Sequence, residues 1–140
     1  MIREIRKNEV DEFVKANMEA RRTIERARKH DKLEIMKDYV LETFKEGKVF
    51  GYFVDGKIIG GIGIIVRKIR GFGEIRHLFV HQDFRRNGIA RILSVFVEDY
   101  AKKIKLNRLK LVVLKENKPA IKFYKDNKYK VFGYKMEKWL

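Results

Sequence analysis

Leu78-Phe79-Val80-His81-Gln82-Asp83-Phe84-Arg85-Arg86-Asn87-Gly88-Ile89-Ala90-Arg91 is the stretch that decides how this chain is read. An apolar, strand-like run ending at Val80 passes through a short polar loop and continues directly into an amphipathic helix. A strand that delivers a glycine-containing loop to a helix N-terminus leaves backbone N–H groups unpaired and aimed at one point, with the aligned peptide dipoles adding positive charge there. Gly88 removes the Cβ that would keep an oxygen from those amides. Arg85 and Arg86 bring guanidinium donors suited to gripping phosphate. Together these residues form a candidate pyrophosphate cradle.

A second pattern lies downstream, at Asn117-Lys118-Pro119-Ala120-Ile121-Lys122-Phe123-Tyr124. Asn117 suits an N-cap, and Pro119, the only proline, suits a first helical turn where its missing N–H costs nothing. Asn117 and Tyr124 stand close to two turns apart, so a helix projects both from one side.

Arg-x-x-Gly-x-Ala at residues 85 to 90, followed by the Asn117–Tyr124 pattern, resembles the acyl-CoA site of the GNAT superfamily of N-acyltransferases. The resemblance covers essentially the full length and is most specific from 74 to 129. It implies an α/β fold of the mixed α+β kind, with a largely antiparallel sheet, one splayed parallel strand pair and about four helices. It implies acetyl-CoA as acyl donor, bound through Leu78, Phe79, Val80, Arg85, Arg86, Asn87, Gly88, Ile89, Ala90, Arg91, Asn117 and Tyr124. An N–H near Val80 would polarise the thioester carbonyl, and Tyr124 would return a proton to the departing thiolate. Glu74, at the start of the cofactor strand, resembles the position that supplies the base for an amine acceptor, directly or through water. Strict alternation puts Glu74, Arg76, Leu78 and Val80 on one face and turns His77 the other way unless a bulge intervenes.

Composition bounds the alternatives. At 140 residues the chain is expected to form one domain, 1–140. The absence of cysteine excludes a disulfide framework, a thiolate zinc site and a cysteine nucleophile, so transfer would proceed by direct attack in a ternary complex. His30, His77 and His81 are too poorly spaced to suggest a metal site. No apolar run approaches the length of a membrane helix and the first residues do not open a signal peptide, which leads us to expect a cytoplasmic protein. Thirty-four basic and 19 acidic residues leave a net charge of +15, a field that draws anions and works against polycation substrates.

The expected acceptor is a primary amine, either on a small molecule or on a protein N-terminus or lysine. In the family that the chain resembles, members acting on protein N-termini commonly carry a glutamate on the strand before the Asn117 pattern, so its absence from 111–114 counts against a ribosomal-protein-type N-terminal enzyme. A non-catalytic acyl-CoA- or nucleic-acid-binding module is the rival from another class, although no RNA-recognition signature is present. Acceptor choice is expected to reside in the helices between 8 and 46 and in a closing hairpin.

The periodicity predicts a strand over 2–5, a helix capped by Asn8 that buries Val10, Phe13, Val14 and Met18, and a basic link from Arg21 to Lys29. A second helix follows on Leu33, Met36, Val40, Thr43 and Phe44, with Gly47 as its stop. Strands 49–54 and 57–67 flank an Asp55-Gly56 turn, where Gly60, Gly61 and Gly63 mark a bulge or a close approach. A strand over 74–81 then leads to a helix from Ile89 burying Ile92, Leu93, Phe96, Val97, Tyr100 and Ile104. Strand 109–114, helix 117–127 and a hairpin of 129–132 with 134–140 about Gly133 complete the chain. Sheet edges and that last strand suit pairing between two subunits of a homodimer.

Overall fold

The computed structural model describes residues 1–22 and 32–140; the basic link read between Arg21 and Lys29 therefore lies, from 23 onward, outside the described residues. Among the described residues, five strands form one sheet in the order β1 (Ile2–Glu4), β2 (Gly47–Val54), β3 (Lys57–Arg67), β4 (Phe72–Val80), β5 (Arg108–Lys110). The first four are antiparallel, and β5 joins β4 in parallel. Four α-helices accompany the sheet: α1 (Val10–Arg22), α2 (Leu33–Glu46), α3 (Ile89–Lys103) and α4 (Lys118–Asp126). None is long and apolar enough to cross a membrane.

The β2–β3 hairpin turns where the sequence places it. Asp55 and Gly56 both take positive φ, +49° and +75°, the pair of angles that matches the twist of the flanking strands. The central strand β3 is buried on both faces from Ile58 to Ile65, because α1 and α2 lie against one side of the sheet and α3 against the other. Alternation sorts β2 accordingly: Val49 and Phe53 pack with α1 and α2, while Phe50, Tyr52 and Val54 pack with α3.

Four expectations need correction. The first helix is not capped by Asn8: a turn of 3₁₀ helix at Lys7–Glu9 precedes α1, and the Glu9 carboxylate accepts the Arg6 N–H at 2.9 Å while pairing with Arg3 at 2.8 Å. These contacts hold the Glu9 carboxyl down at about 2. The buried apolar seam of α3 is Ile89, Leu93, Val97 and Ala101, one residue in four, with Ser94 buried beside it, whereas Ile92 and Phe96 are 46% and 36% exposed. Small Ala101 lets the helix settle on that stripe, and the apolar face is wider than the contact it makes.

The strand expected over 109–114 ends at Lys110, because β5 leaves β4 after Glu74↔Lys110 and 111–114 has no strand on that side to pair with. The closing hairpin does not form either: residues 130–140 are all exposed and no strand occurs beyond β5. A lone two-stranded hairpin needs a third strand or a covering helix, and no described element packs over this segment.

The glycines of β3 have a packing role. Between Gly61 and Gly63 the register with β4 slips by one residue, so His77 and Leu78 together oppose Ile62. A Cβ on Gly61 would strike the rings of Phe13 and Phe79, and one on Gly63 would come within 2.9 Å of Thr43 Cγ2 and 3.0 Å of His77 Cδ2. The bare backbone lets α1 and α2 approach the sheet at the bulge. Gly61→Ala is expected to cost about 1–3 kcal/mol, read as a lower urea midpoint at unchanged slope; an unchanged midpoint would refute this packing account.

Candidate active site

The parting of β4 and β5 opens a cleft of about 820 Å³ with 75–80 on one wall and 111–114 on the other. Loop residues Phe84, Arg85, Arg86 and Gly88 and the start of α3 bound one end. Asn117, Pro119, Ala120, Phe123 and Tyr124 of the α4 segment contribute another side, and Asn17, Ala20, Arg21, Met36 and Tyr39 of α1 and α2 complete the lining. Of the residues singled out from sequence, Leu78, Phe79, Val80, Arg85, Arg86, Gly88, Ile89, Ala90, Arg91, Asn117 and Tyr124 share this cleft. Asn87 and Glu74 do not line it.

At the loop end, Arg86 and Gly88 take φ of +65° and +74°, with Asn87 between them on the ordinary side. Residues of alternating hand curl successive N–H groups toward one concavity, which suits an anion. Helix α3 follows with no side-chain cap, and its first intrahelical bond runs from Ile92 N–H to Gly88 O at 3.0 Å. The amides of Ile89, Ala90 and Arg91 are therefore the ones a helix start leaves open. Asn87 stiffens the turn, its side-chain amide donating to Phe84 O at 3.1 Å and to Arg85 O at 3.4 Å.

The structure separates the two arginines to which sequence reading assigned one job. Arg85 is a strut: Nε donates to Val80 O at 3.0 Å and Nη2 to Ala20 O at 2.8 Å. Arg86 is exposed, and its side chain has no hydrogen bond or ion pair among the described residues. Arg91 braces α3 against the end of α4 through Asn127 Oδ1 at 3.0 Å.

Along the β4 wall the backbone is open. His81 N–H donates to Ile59 O on the β3 side, and Val80 O faces Arg85 on the other. Strand backbone alternates, so the Val80 N–H lies on the outer edge with its carbonyl, toward the cleft.

On the opposite side, Asn117 caps α4, its Oδ1 accepting the Ala120 N–H at 3.3 Å. The Tyr124 ring stands edge-on to Phe123 and Tyr129, with centroids 5.4 and 5.5 Å away. Burial raises its phenol above the ordinary value of 10, and Tyr129, buried beside Glu98 and Tyr124, is pushed up to about 12. Tyr124 therefore holds its proton at neutral pH. Glu74 stands where β4 and β5 are still paired, opposite Lys110, with its carboxylate 3.4 Å from Arg76 Nη2.

The bulge reverses the expected facing of β4. Leu78 and Val80 pack with Ile75 on the α3 side, while His77 and Phe79 join Glu74 and Arg76 toward α1 and α2. Arg76 lies 3.3 Å from Glu42 of α2, and His77, at φ +59°, presents Nε2 to Thr43 Oγ1 at 2.8 Å. The Thr43 hydroxyl donates to Tyr39 O at 3.0 Å, so it accepts from His77 Nε2–H and leaves Nδ1 as the ring's acceptor. Sequence reasoning did not bring Asn17, Met36, Tyr39, Thr43 and His77 together; the three β3 glycines were the available signal.

Residues 8–129 match the Acetyltransferase (GNAT) family. The chain belongs to that family. Acetyl-CoA is accordingly the acyl donor, and the open amides, exposed Arg86 and long cleft fit a diphosphate-bearing substrate. Comparison with curated protein sequences returned no match. A possible acetyltransferase from Clostridium difficile 630 superposes with a TM-score of 0.79 at 24% identity, covering 100% of this chain and 96% of that one. Ribosomal-protein-alanine N-acetyltransferase from Brucella melitensis biovar Abortus 2308 gives 0.76 at 18%, covering 99% of each. PaiA N-acetyltransferase from Thermoplasma acidophilum, in complex with coenzyme A, gives 0.77 at 19%, covering 91% and 87%. At these identities the likenesses speak for the fold of the acetyltransferase.

Burial, with Arg76 and Arg21 adding repulsion, lowers the His77 imidazole from 6.5 to about 4. A group that protonates more readily unfolded than folded stabilises fully above the unfolded value and loses its contribution as pH falls toward the folded one. Stability should therefore fall by roughly 3 kcal/mol between pH 6.5 and 4 on account of this side chain. Denaturant titrations at stepped pH should show that slope in the native chain and a shallower one in His77→Gln; equal slopes would refute the assignment.

Proposed function

We propose that this acetyltransferase moves an acetyl group from acetyl-CoA to a primary amine by direct attack in a ternary complex. The observation that carries the reading is the single cleft running from the open amides of α3 to the phenol of Tyr124. In this reading the diphosphate rests on the amides of 88–91 with Arg86 beside it, and Asn117 lies along the same cleft. The pantetheine arm pairs with the outer edge of 78–80.

The acceptor must first lose a proton, since a primary amine resembles lysine in holding one up to pH ~10.4. Glu74 receives it through water, because its carboxylate lies outside the cleft lining beside Arg76. The neutral nitrogen attacks the thioester carbon, and the carbonyl oxygen gathers charge against the Val80 N–H. The carbonyl re-forms as the C–S bond breaks, the thiolate takes the Tyr124 proton to leave as free coenzyme A, and the attacking nitrogen gives its surplus proton back to the Tyr124 phenolate, leaving a neutral amide. Burial favours the protonated phenol that this step requires.

A protein amine is the second acceptor reading, supported by the likeness to the Brucella enzyme, whose name states such a substrate. Turnover of acetyl-CoA against panels of small amines and peptides separates the two. Tyr124→Phe is expected to retain acetyl-CoA binding by calorimetry and to lose about 10²–10⁴ in kcat. Full rate in that variant would remove Tyr124 as donor, and no binding heat in the native chain would remove the cofactor site.

A further inference from the structure

We propose that Asn17 of α1 seats the acceptor amine, its Oδ1 accepting one N–H, and that the acceptor is a monoamine on an apolar or aromatic stem; this rests on the acetyl transfer proposed above. Asn17 is only 2% exposed, yet it lines the cleft. Its Nδ2 donates to Met36 Sδ at 3.4 Å, and thioether sulfur is a weak acceptor. That contact fixes which way the amide faces, since the reversed amide would set oxygen against sulfur with no proton between them. Oδ1 is left over. It accepts from no donor among the described residues, and it is not sealed away: the side-chain polar atoms that are both enclosed and unbonded there are Glu46 Oε2 and Arg76 Nη1. An oxygen so largely withdrawn from solvent and open to a cavity calls for a donor from that cavity.

Position ties this oxygen to the reacting end. Four residues before Asn17, the Phe13 ring meets Phe79 at 5.3 Å; three residues after it, Ala20 O accepts Arg85 Nη2, whose Nε holds Val80 O. Residues at those spacings share one helix face. Asn17 therefore stands between the two points that fasten α1 to residues 79 and 80. The proposed reaction polarises the thioester through the Val80 N–H, on that same stretch. A neutral primary amine has two N–H groups and one lone pair, so an amine with one N–H on Oδ1 can still turn its lone pair toward the thioester carbon.

The surroundings select the stem. Near Asn17 the helices contribute Ala20, Met36 and Tyr39 to the lining, while its charged members on this side are Arg21 and Arg76. The carboxylates that answer Arg76, Glu42 and Glu74, do not reach the lining. A second ammonium on the same molecule would be set down among guanidinium groups without a counter-charge. A methylene chain or a ring instead packs on the thioether and the tyrosine.

Thiol release from acetyl-CoA is followed with phenethylamine, hexylamine and spermidine. The native chain is expected to use the two monoamines with kcat/KM about tenfold or more above that for spermidine. Asn17→Leu, close in shape and unable to accept, should raise the monoamine KM about tenfold. It should leave the KM for acetyl-CoA unchanged and the Tm no lower, because only the weak contact to sulfur is lost. Asn17→Asp keeps the oxygen, adds a negative charge and should turn the preference toward spermidine. An unchanged monoamine KM in Asn17→Leu, or a native preference for spermidine, overturns the proposal. Calorimetry separates the seat from the reaction, with phenethylamine titrated into the chain saturated with free coenzyme A. Binding by the native chain that weakens about tenfold in Asn17→Leu, without thiol release, would keep the seat and fail the acetyl transfer. No phenethylamine binding by the native complex overturns the seat.

Discussion

Two residues of β4 opposing one residue of β3 is the constraint on which the rest of the site depends. His77 and Leu78 share Ile62 as their partner, and the extra residue shifts the phase of everything after it. Without the shift, Phe79 would leave the ring of Phe13, which it meets edge-on at 5.3 Å, and His77 would leave Thr43. Leu78 and Val80 would also turn away from the face they share with Ile75. A left-handed residue with a side chain is costly unless its surroundings hold it. Here Thr43 holds the imidazole, Phe13 packs against it, and Gly63 leaves room for both.

The basic character of the chain is more divided in space than in sequence. Among the described residues, five arginines line the cleft and no carboxylate does. Arg85 and Arg91 are occupied with carbonyl and amide oxygens of the protein itself, and Arg76 faces Glu42 and Glu74. Neutralised or tethered arginines shape a site; Arg86, exposed on a left-handed turn, is positioned to meet an incoming anion.

Legibility in sequence followed the range of the interaction. Asp55-Gly56, the Asn117 cap with Pro119 behind it, and the strand, loop and helix around Gly88 are local devices, and each stands where its residues place it. The family resemblance likewise rested on short motifs. The facing of His77 was not legible, because a bulge is set by partners some 15 and 34 positions away, Ile62 and Thr43. Nor was the strut role of Arg85, whose acceptor Ala20 is 65 residues distant. The alternating pattern of 129–140 predicts a hairpin that does not form, because alternation along one segment does not supply the further strand or covering helix that a hairpin needs. The α3 face failed for a simpler reason: a wide apolar stripe does not say which part of it touches the sheet.

Arg85 also joins the two ends of the cleft into one mechanical piece. One guanidinium grips the last carbonyl of β4 and a carbonyl in the final turns of α1, so the loop before α3 and the helix on the far side cannot shift independently. Any load placed on the tail of α1 is felt at Val80, the residue whose amide faces the cleft. The start of α3 and the tail of α1 are thus mounted on a common bracket, and a displacement of either is handed on to the other.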